Sequence, residues 1–437
     1  MIQLAWQWAK INRVLLVNVL SLVGTTAVTA SLGFVYWWVA ARQFVPAEVG
    51  LSSAMISAMT LLGTICMLGL GTLLISELPK HKDAEFALIN TALLIVALAG
   101  GFVGLLFALL APVVAPNFQP LRSGPASVLI FAAGVGLTSV TLVFDQALLG
   151  LLRGELQLWR NSLFAVVKLA VLFMIGLWIT QRTGISIYAT WAIGNVLSML
   201  ILAIGLLPRL LRTGQSFWPR WGLLRKLRAG AFEHHMLNLT LQVPSLALPV
   251  LVTALLSTTA NAWFYVSWML AGLASLLPSV LATVLFAANA RQPEALAQRA
   301  RMTLGIATVV CVGMCLFLLL GTEYLLNIFG HNSAEQASWS LRILALGSLP
   351  RIIKDHYVAI CRIKGQVRSA VGPMIVGSLL ELILAALGAH LAGLLGLSLG
   401  WLFALCIEAL FGANTVYKTV IINTSEKTTL SVRSLAD

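Results

Sequence analysis

The sequence predicts an all-α polytopic membrane protein, with twelve transmembrane helices arranged as two parallel six-helix repeats. Three observations lead there. Hydrophobic residues make up 59% of the 437 and charged residues only 10%, against roughly 25% charged in soluble domains. The apolar residues gather in twelve runs long enough to cross a bilayer, since about 20 residues at 1.5 Å rise span a ~30 Å hydrocarbon core. One strongly basic stretch divides the twelve into two sets of six. The abundance of Ala, Leu and Gly suits helices; barrel strands would alternate apolar and polar over about ten residues.

The first six runs are Val14–Ala40, Val49–Leu78, Phe86–Ala115, Pro125–Leu149, Asn161–Thr180 and Ile185–Leu207. The second six are Ala231–Leu256, Ala260–Ala288, Met302–Leu320, Ala337–Ile360, Ala370–Leu391 and Leu394–Ile422. Short joints rich in Pro, Gly, Asn and charge separate them, as helix stops and turns require. This gives a first lobe over 1–212, a cytoplasmic basic linker over 213–228 and a second lobe over 229–437. No polar stretch is long enough for a soluble domain. The first run is too long for a cleaved signal peptide and lacks a small-residue cleavage site, so it is expected to remain as a membrane helix.

Orientation follows from the cations in the joints. Lys10, Arg13, Lys80, Lys82, Arg153 and Arg160 fall on one side. Arg209, Arg212, Arg220, Arg225, Lys226 and Arg228 of the central loop join them. So do Arg291, Arg299, Arg301, Arg362, Lys364, Arg368, Lys418, Lys427 and Arg433. That is 21 cations against three (Arg42, Arg122, Arg182) on the other side, which makes both termini cytoplasmic. The net charge of +13 is largely this topology signal, and no nucleic-acid partner is read from it. Trp37, Trp38, Trp178, Tyr324 and Trp339 fall near the outer interface. Trp6, Trp8, Trp159, Trp218 and Trp221 fall near the inner one, where amphipathic rings settle.

The halves repeat each other at an offset of about 210–213 residues. PAEVG and its apolar run (Pro46 onward) share a rhythm with the stretch from Ala260. Phe144-Asp145…Arg153-Gly154 is echoed by Lys354-Asp355…Lys364-Gly365, and Lys168 falls near the position of Glu381. An even number of helices per copy makes the repeats parallel, as in some transporter halves that place the substrate path between lobes. The repeat therefore favours a transporter over a channel.

Charges inside the bilayer cost ~2.5–3.5 kcal/mol each at a helix centre and need reasons. They are Asp145, Lys168, Arg342, Arg351, Lys354, Asp355, Glu381 and Glu408. The tenth run carries three cations and one Asp. At about 100° per residue, Arg351, Lys354, Asp355 and Arg362 share a stripe, while Arg342 lies opposite and close enough to the outer interface to snorkel. Pro350 is expected to kink this helix just before Arg351. One reading is a cationic surface facing a watery cavity; the other is ion pairing of Arg351 and Lys354 with Asp355 or Glu381. Asp145 and Lys168 come to similar depth if the fourth and fifth runs turn near Leu156, and an ion pair is expected. Glu408 has no local partner and is read as a neutral hydrogen-bonding acid or a coupling site.

Pro244, Pro249, Pro278, Pro350 and Pro373 lie within second-half runs, marking that half for bending. Glu233-His234-His235 invites a metal reading, but adjacent helical residues point about 100° apart, which favours interface polarity. Cys66, Cys311, Cys315, Cys361 and Cys406 read as small buried hydrophobes. Gly69 and Gly71 read as helix-packing positions. No phosphate-cradling loop, nucleophile triad or metal box is present, so the chain is not read as an enzyme and no cofactor is expected beyond possible Na⁺ or H⁺ coupling.

ARQFVPAEVGLSSAMISAMTLLGTICMLGLGTLLISELPK (Ala41–Lys80) resembles the second-helix region of polysaccharide flippases of the multidrug/oligosaccharidyl-lipid/polysaccharide exporter superfamily. Gln146–Lys168, with Arg153-Gly154 and Arg160, resembles that family's fourth-to-fifth-helix joint. Leu277-Pro278-Ser279 followed by VLFAANAR resembles the end of its eighth helix, departing from it at Ala287, where Pro is often found. The resemblance implies a V-shaped, two-lobed flippase. It would carry an undecaprenyl-diphosphate-linked oligosaccharide (O-antigen, capsule or exopolysaccharide unit) from the cytoplasmic to the periplasmic face of a bacterial inner membrane. Membrane lipids, a polysaccharide polymerase and a chain-length regulator are its implied partners. Such an anionic substrate calls for Arg and Lys, which grip phosphate by charge-assisted hydrogen bonds. Arg351 and Lys354, with Arg342, are the expected substrate-binding residues; Asp145, Lys168, Asp355, Glu381 and Glu408 are the expected coupling or structural ion pairs. A cation-coupled multidrug exporter of the same fold and a non-transporting scaffold of a glycan assembly complex are the alternatives.

Overall fold

Apolar runs with no water to bond their backbone must close every hydrogen bond within the segment, so they form helices. The computed structural model describes residues 13–81, 84–178, 182–212, 218, 221–222, 231–289 and 296–433. Lys10, Lys82, Arg220, Arg225, Lys226, Arg228, Arg291, Trp6 and Trp8 lie outside them, with most of the expected linker 213–228.

The helices in order are α1 (Arg13–Gln43), α2 (Pro46–Cys66), α3 (Leu70–Glu77), α4 (Glu85–Val114), α5 (Pro125–Gly150), α6 (Gly154–Trp178) and α7 (Gly184–Arg212). Then come α8 (Ala231–Leu255), α9 (Thr258–Asn289), α10 (Leu296–Asn327), α11 (His331–Leu346), α12 (Ser348–Ile363) and α13 (Val367–Arg433). Among the described residues, nine helices are long and apolar enough to cross a membrane. One of them, α13, holds two expected spans, divided where Ala392 and Gly393 leave helical geometry and Gly393 takes φ 58°. Helix α1 and the broken pair α11–α12 complete the twelve.

Two expected spans are interrupted. The second breaks between α2 and α3, where Leu68 (φ 51°) and Gly69 (φ 78°) turn left-handed; Gly69 is thus a turn residue, and only Gly71 is a packing position. The tenth is interrupted for one residue at Gly347, three residues before Pro350, although Gly347 keeps helical φ and ψ (−62°, −18°). Pro350 lies in the first turn of α12, and its missing N–H leaves the Leu346 carbonyl, four residues back, without its helical donor. The chain continues as helix through Pro244, Pro249, Pro278 and Pro373.

Two compact units emerge: Met1–Gln242 with Ser257–Ala262, and Val243–Leu256 with Trp263–Asp437. The chain first passes between them within α8, at Val243, beside Pro244, and not in the basic linker. In the first unit α1 packs along α6, α6 along α7, and α2 against α5 and α7. Helices α4 and α5 form a close hairpin, because Gly104 meets α5 so tightly that a Cβ would lie 3.0 Å from the Ala132 Cα; small residues permit such approach. In the second unit α10 packs on α11 and α12, and both of these on α13. Ala274, Ala307, Cys311, Leu318, Ala345 and Ile352 form a core there. Of the five cysteines, four are buried and Cys406 is exposed.

The repeat is visible in the helix starts. α2 begins at Pro46 and α9 at Thr258, α4 at Glu85 and α10 at Leu296, α6 at Gly154 and α13 at Val367: offsets of 212, 211 and 213. The turn after α5 and the turn after α12 share one geometry. Arg153 N–H donates to Leu148 O and Gln366 N–H to Cys361 O, with Leu152 (φ 56°) and Gly365 (φ 68°) in the left-handed position. This is the Schellman closure.

Candidate functional site

The charged residues of the second unit fall into three groups. The largest is buried: Lys354 Nζ lies 2.6 Å from Glu381 Oε1 and 2.6 Å from Glu408 Oε2. Trp401 Nε1 donates to Glu381 Oε2 at 2.7 Å, and Trp268 meets the Trp401 ring edge-on at 4.9 Å. Glu408 rests against α13 at Gly377, where an added Cβ would fall 2.5 Å from its carboxyl carbon. Glu408, without a local partner in sequence, thus finds one on α12. One ammonium between two carboxylates leaves the triad with an excess of one formal negative charge.

The second group is Arg351, Asp355 and Ser279. Ser279 Oγ donates to Asp355 Oδ2 at 2.6 Å, and Arg351 Nε stands 4.0 Å from the same oxygen. The Arg351 side chain keeps 34% of its surface exposed, whereas Lys354 is buried. The expected stripe therefore divides: Lys354 turns into an ion triad and Arg351 remains accessible. Arg342, on α11 beyond the Gly347 break, stacks 5.0 Å from the Trp339 ring and stands 3.4 Å from Glu323.

The first unit corrects an expected pair. Asp145 is gripped by Arg160, with Nε to Oδ1 and Nη2 to Oδ2 both at 2.7 Å, and Asn161 adds a 3.0 Å bond. The turn lies at Leu151–Arg153 and not near Leu156. Arg160 is then the residue at Asp145's depth, and Lys168 stands about 12 Å further along α6 at 1.5 Å per residue.

Lys168 is enclosed by rings. Its Nζ lies 3.8 Å from the Trp191 centroid, 4.7 Å from Phe164 and 5.1 Å from Tyr36. The side chain is 5% exposed, and no oxygen acceptor or carboxylate partners it among the described residues. Tyr36 is tied in place by Thr190 Oγ1 at 2.7 Å and Ile187 O at 3.1 Å. Cation–π contacts contribute ~0.5–2 kcal/mol, less than the several kcal/mol that burying a lone ion costs. Trp191 Nε1 is also buried without a hydrogen-bond partner. His235 is buried and His234 exposed; they point apart.

Sequence reading missed Trp401, Trp191, Tyr36 and Gly377. The repeat held the signal for the first two. Trp191 lies seven residues after Gly184 and Trp401 seven after Leu394, an offset of 210, while Lys168 and Glu381 stand 213 apart, the same offset as their helix starts.

Helices long and apolar enough to span a membrane, gathered in two units with ionic clusters buried in each, define a multi-pass membrane protein. Solved structures agree on the fold. An inward-facing multidrug resistance MATE family transporter of the MOP superfamily matches with TM-score 0.71 at 13% identity, over 92% of this chain and 99% of that one. A MOP superfamily transporter from Pyrococcus furiosus, described by the reverse polarity of its binding pocket, matches with TM-score 0.62 at 14% identity, over 92% and 96%. An outward-facing MATE transporter gives 0.62 at 12%, over 94% and 96%. Among curated proteins none matches in sequence. The family model for polysaccharide biosynthesis proteins matches residues 15–286, and the MatE model matches 238–387. The chain belongs to the polysaccharide biosynthesis protein family.

Proposed function

We propose that the protein is a flippase for an undecaprenyl-diphosphate-linked oligosaccharide, moving it from the cytoplasmic to the periplasmic face of a bacterial inner membrane. Both termini are cytoplasmic in this reading, and the glycan passes afterwards to a polymerase and chain-length regulator. The observation that carries it is Arg351: a mid-membrane guanidinium held by Asp355 only at 4.0 Å and one-third exposed. A diphosphate offers shorter, bidentate, charge-assisted bonds than that contact. Lys354 supports the substrate-facing helix through its two carboxylates, and Arg342 meets the departing headgroup near the outer interface. The polysaccharide family match supports a glycan substrate.

A second reading, a cation-coupled multidrug exporter, draws on the MatE match and on the excess carboxylate at Glu381–Lys354–Glu408, which suits Na⁺ or H⁺ coupling. The same triad can couple glycan export to an ion.

The test is surface glycan restored in a flippase-deficient cell, with membrane abundance measured alongside. Arg351→Ala is expected to abolish export and Arg351→Lys to keep part of it, since charge survives while the fork is lost. Arg351→Glu is expected to be inactive. Normal export by an abundant Arg351→Glu protein would remove α12 from the substrate path.

A further inference from the structure

We infer that Lys168 and Trp191 form an oxyanion-binding site inside the first unit: the ammonium, over the Trp191 ring face, takes one oxygen of a substrate phosphate or carboxylate group, and the indole N–H, pointing outward in the ring plane, takes another. This rests on the proposed glycan-carrier reading and adds a second recognition point to it.

The case starts from the repeat. Lys168 and Glu381 are register equivalents, as are Trp191 and Trp401. In the second unit the Trp401 N–H donates to the Glu381 carboxylate at 2.7 Å. In the first unit the carboxylate is replaced by an ammonium, and the Trp191 N–H has lost its acceptor. The matching turns at Leu152 and Gly365 set an offset of 213 for these helices, correcting the 210 read from Asp145 and Asp355, and place Thr141 opposite Lys354; the offset of 210 for the last helices places Ser198 opposite Glu408, so the two other charges of the triad are gone as well. What remains is two buried donors, Lys168 Nζ over the Trp191 ring face and Trp191 Nε1 at its edge, neither with an oxygen acceptor among the described residues.

No carboxylate of the surrounding helices fills that role. Asp145 is bound bidentately by Arg160, and Glu48 accepts from the Gly184 amide. Among the described buried residues, Asp145, Arg160 and Lys168 leave one formal cation in excess in this unit, whereas the Glu381–Lys354–Glu408 triad of the second leaves one formal anion. An oxyanion seated here would restore in the first unit the indole-to-carboxylate bond that Glu381 makes in the second. Phe164 and Trp191 are partly exposed, so their side of the cage is the route of entry, while Tyr36 is fully buried and closes the back.

Two readouts test the site, both on the full-length chain. The first is binding of inorganic diphosphate or glucuronate to protein in nanodiscs, followed by tryptophan fluorescence. Wild type is expected to bind at least one probe, and which one binds separates a phosphate from a sugar-acid origin. Lys168→Met should lower that affinity at least tenfold and Trp191→Phe several-fold. The second is glycan export: Lys168→Met should lose it and Lys168→Arg should keep part, with Lys168→Met at or above wild-type abundance because a buried charge has gone. No binding by wild type, unchanged binding by Lys168→Met, or a Lys168→Met export loss that merely follows falling abundance would overturn the site. If wild-type protein binds diphosphate through Lys168 yet restores no glycan, the carrier reading fails and the site stands.

Discussion

At the scale of single residues, buried charge decides which positions matter. The Asp145–Arg160 pair is doubly hydrogen-bonded, and losing either partner strands the other. Asp145→Ala or Arg160→Ala should each cost about 3–5 kcal/mol of stability, and the double variant clearly less than their sum. Asp145→Ala with Lys168→Met should instead be additive, as expected of side chains without a shared contact. Thermal unfolding of the purified variants would show coupling in the first pair and none in the second; the reverse would restore the depth-matched pairing inferred from the sequence. Gly377 makes a similar point, since its missing Cβ is what lets Glu408 lie against α13. Gly377→Ala should cost about 1–3 kcal/mol, the scale of overpacking. A variant as stable as wild type would mean that Glu408 has room to move.

At the scale of helices, charges and apolar runs made twelve spans legible, but not where two of them break. Leu68-Gly69 sits inside uninterrupted apolar sequence, and hydropathy carries no information about its positive φ. The interruption of the tenth span at Gly347 lies within four residues of Pro350, the stretch in which a proline's missing N–H removes a helical hydrogen bond. The hairpin count failed on a positive φ of the same kind as that of Leu68. The α5–α6 turn closes at Leu152, a residue type that seldom adopts positive φ, so nothing in its identity marked it. Its repeat partner Gly365 does mark it, and comparing the halves would have corrected the depth of Lys168. A prediction follows. Leu152 is exposed and pays the left-handed penalty of ~1–2 kcal/mol, so Leu152→Gly should raise the unfolding temperature. Gly365→Ala should lower it. Shifts of the same sign at the two sites, or no shift at either, would contradict the shared turn geometry.

At the scale of the whole molecule, fold class and family were legible because a membrane imposes them through composition, span length and loop charge. The site was legible only in part. Sequence picked out the buried Lys168, Lys354, Glu381 and Glu408 and offered the Lys354–Glu381 pair that the structure shows, but it set Arg160 in a loop, although Arg160 is buried on Asp145, and it could not foresee Glu408 joining Lys354 from far along the chain. Orientation is testable separately. A reporter fused after Asp437 or within residues 214–219 should behave as cytoplasmic, and one between Ser257 and Asn261 as periplasmic. A periplasmic signal at the central loop would overturn the charge-based topology.

The central claim is that this transporter moves a lipid-linked anionic glycan, and reconstitution tests it most directly. Protein in liposomes carrying a fluorescent undecaprenyl-diphosphate-linked oligosaccharide should expose labelled headgroups to an external glycan-binding reagent faster than empty liposomes do. Arg351→Glu should fall to the empty-liposome rate. Wild-type protein that leaves the headgroups in place but drives an ion gradient-dependent efflux of cationic dyes would contradict the account and establish the multidrug exporter in its place.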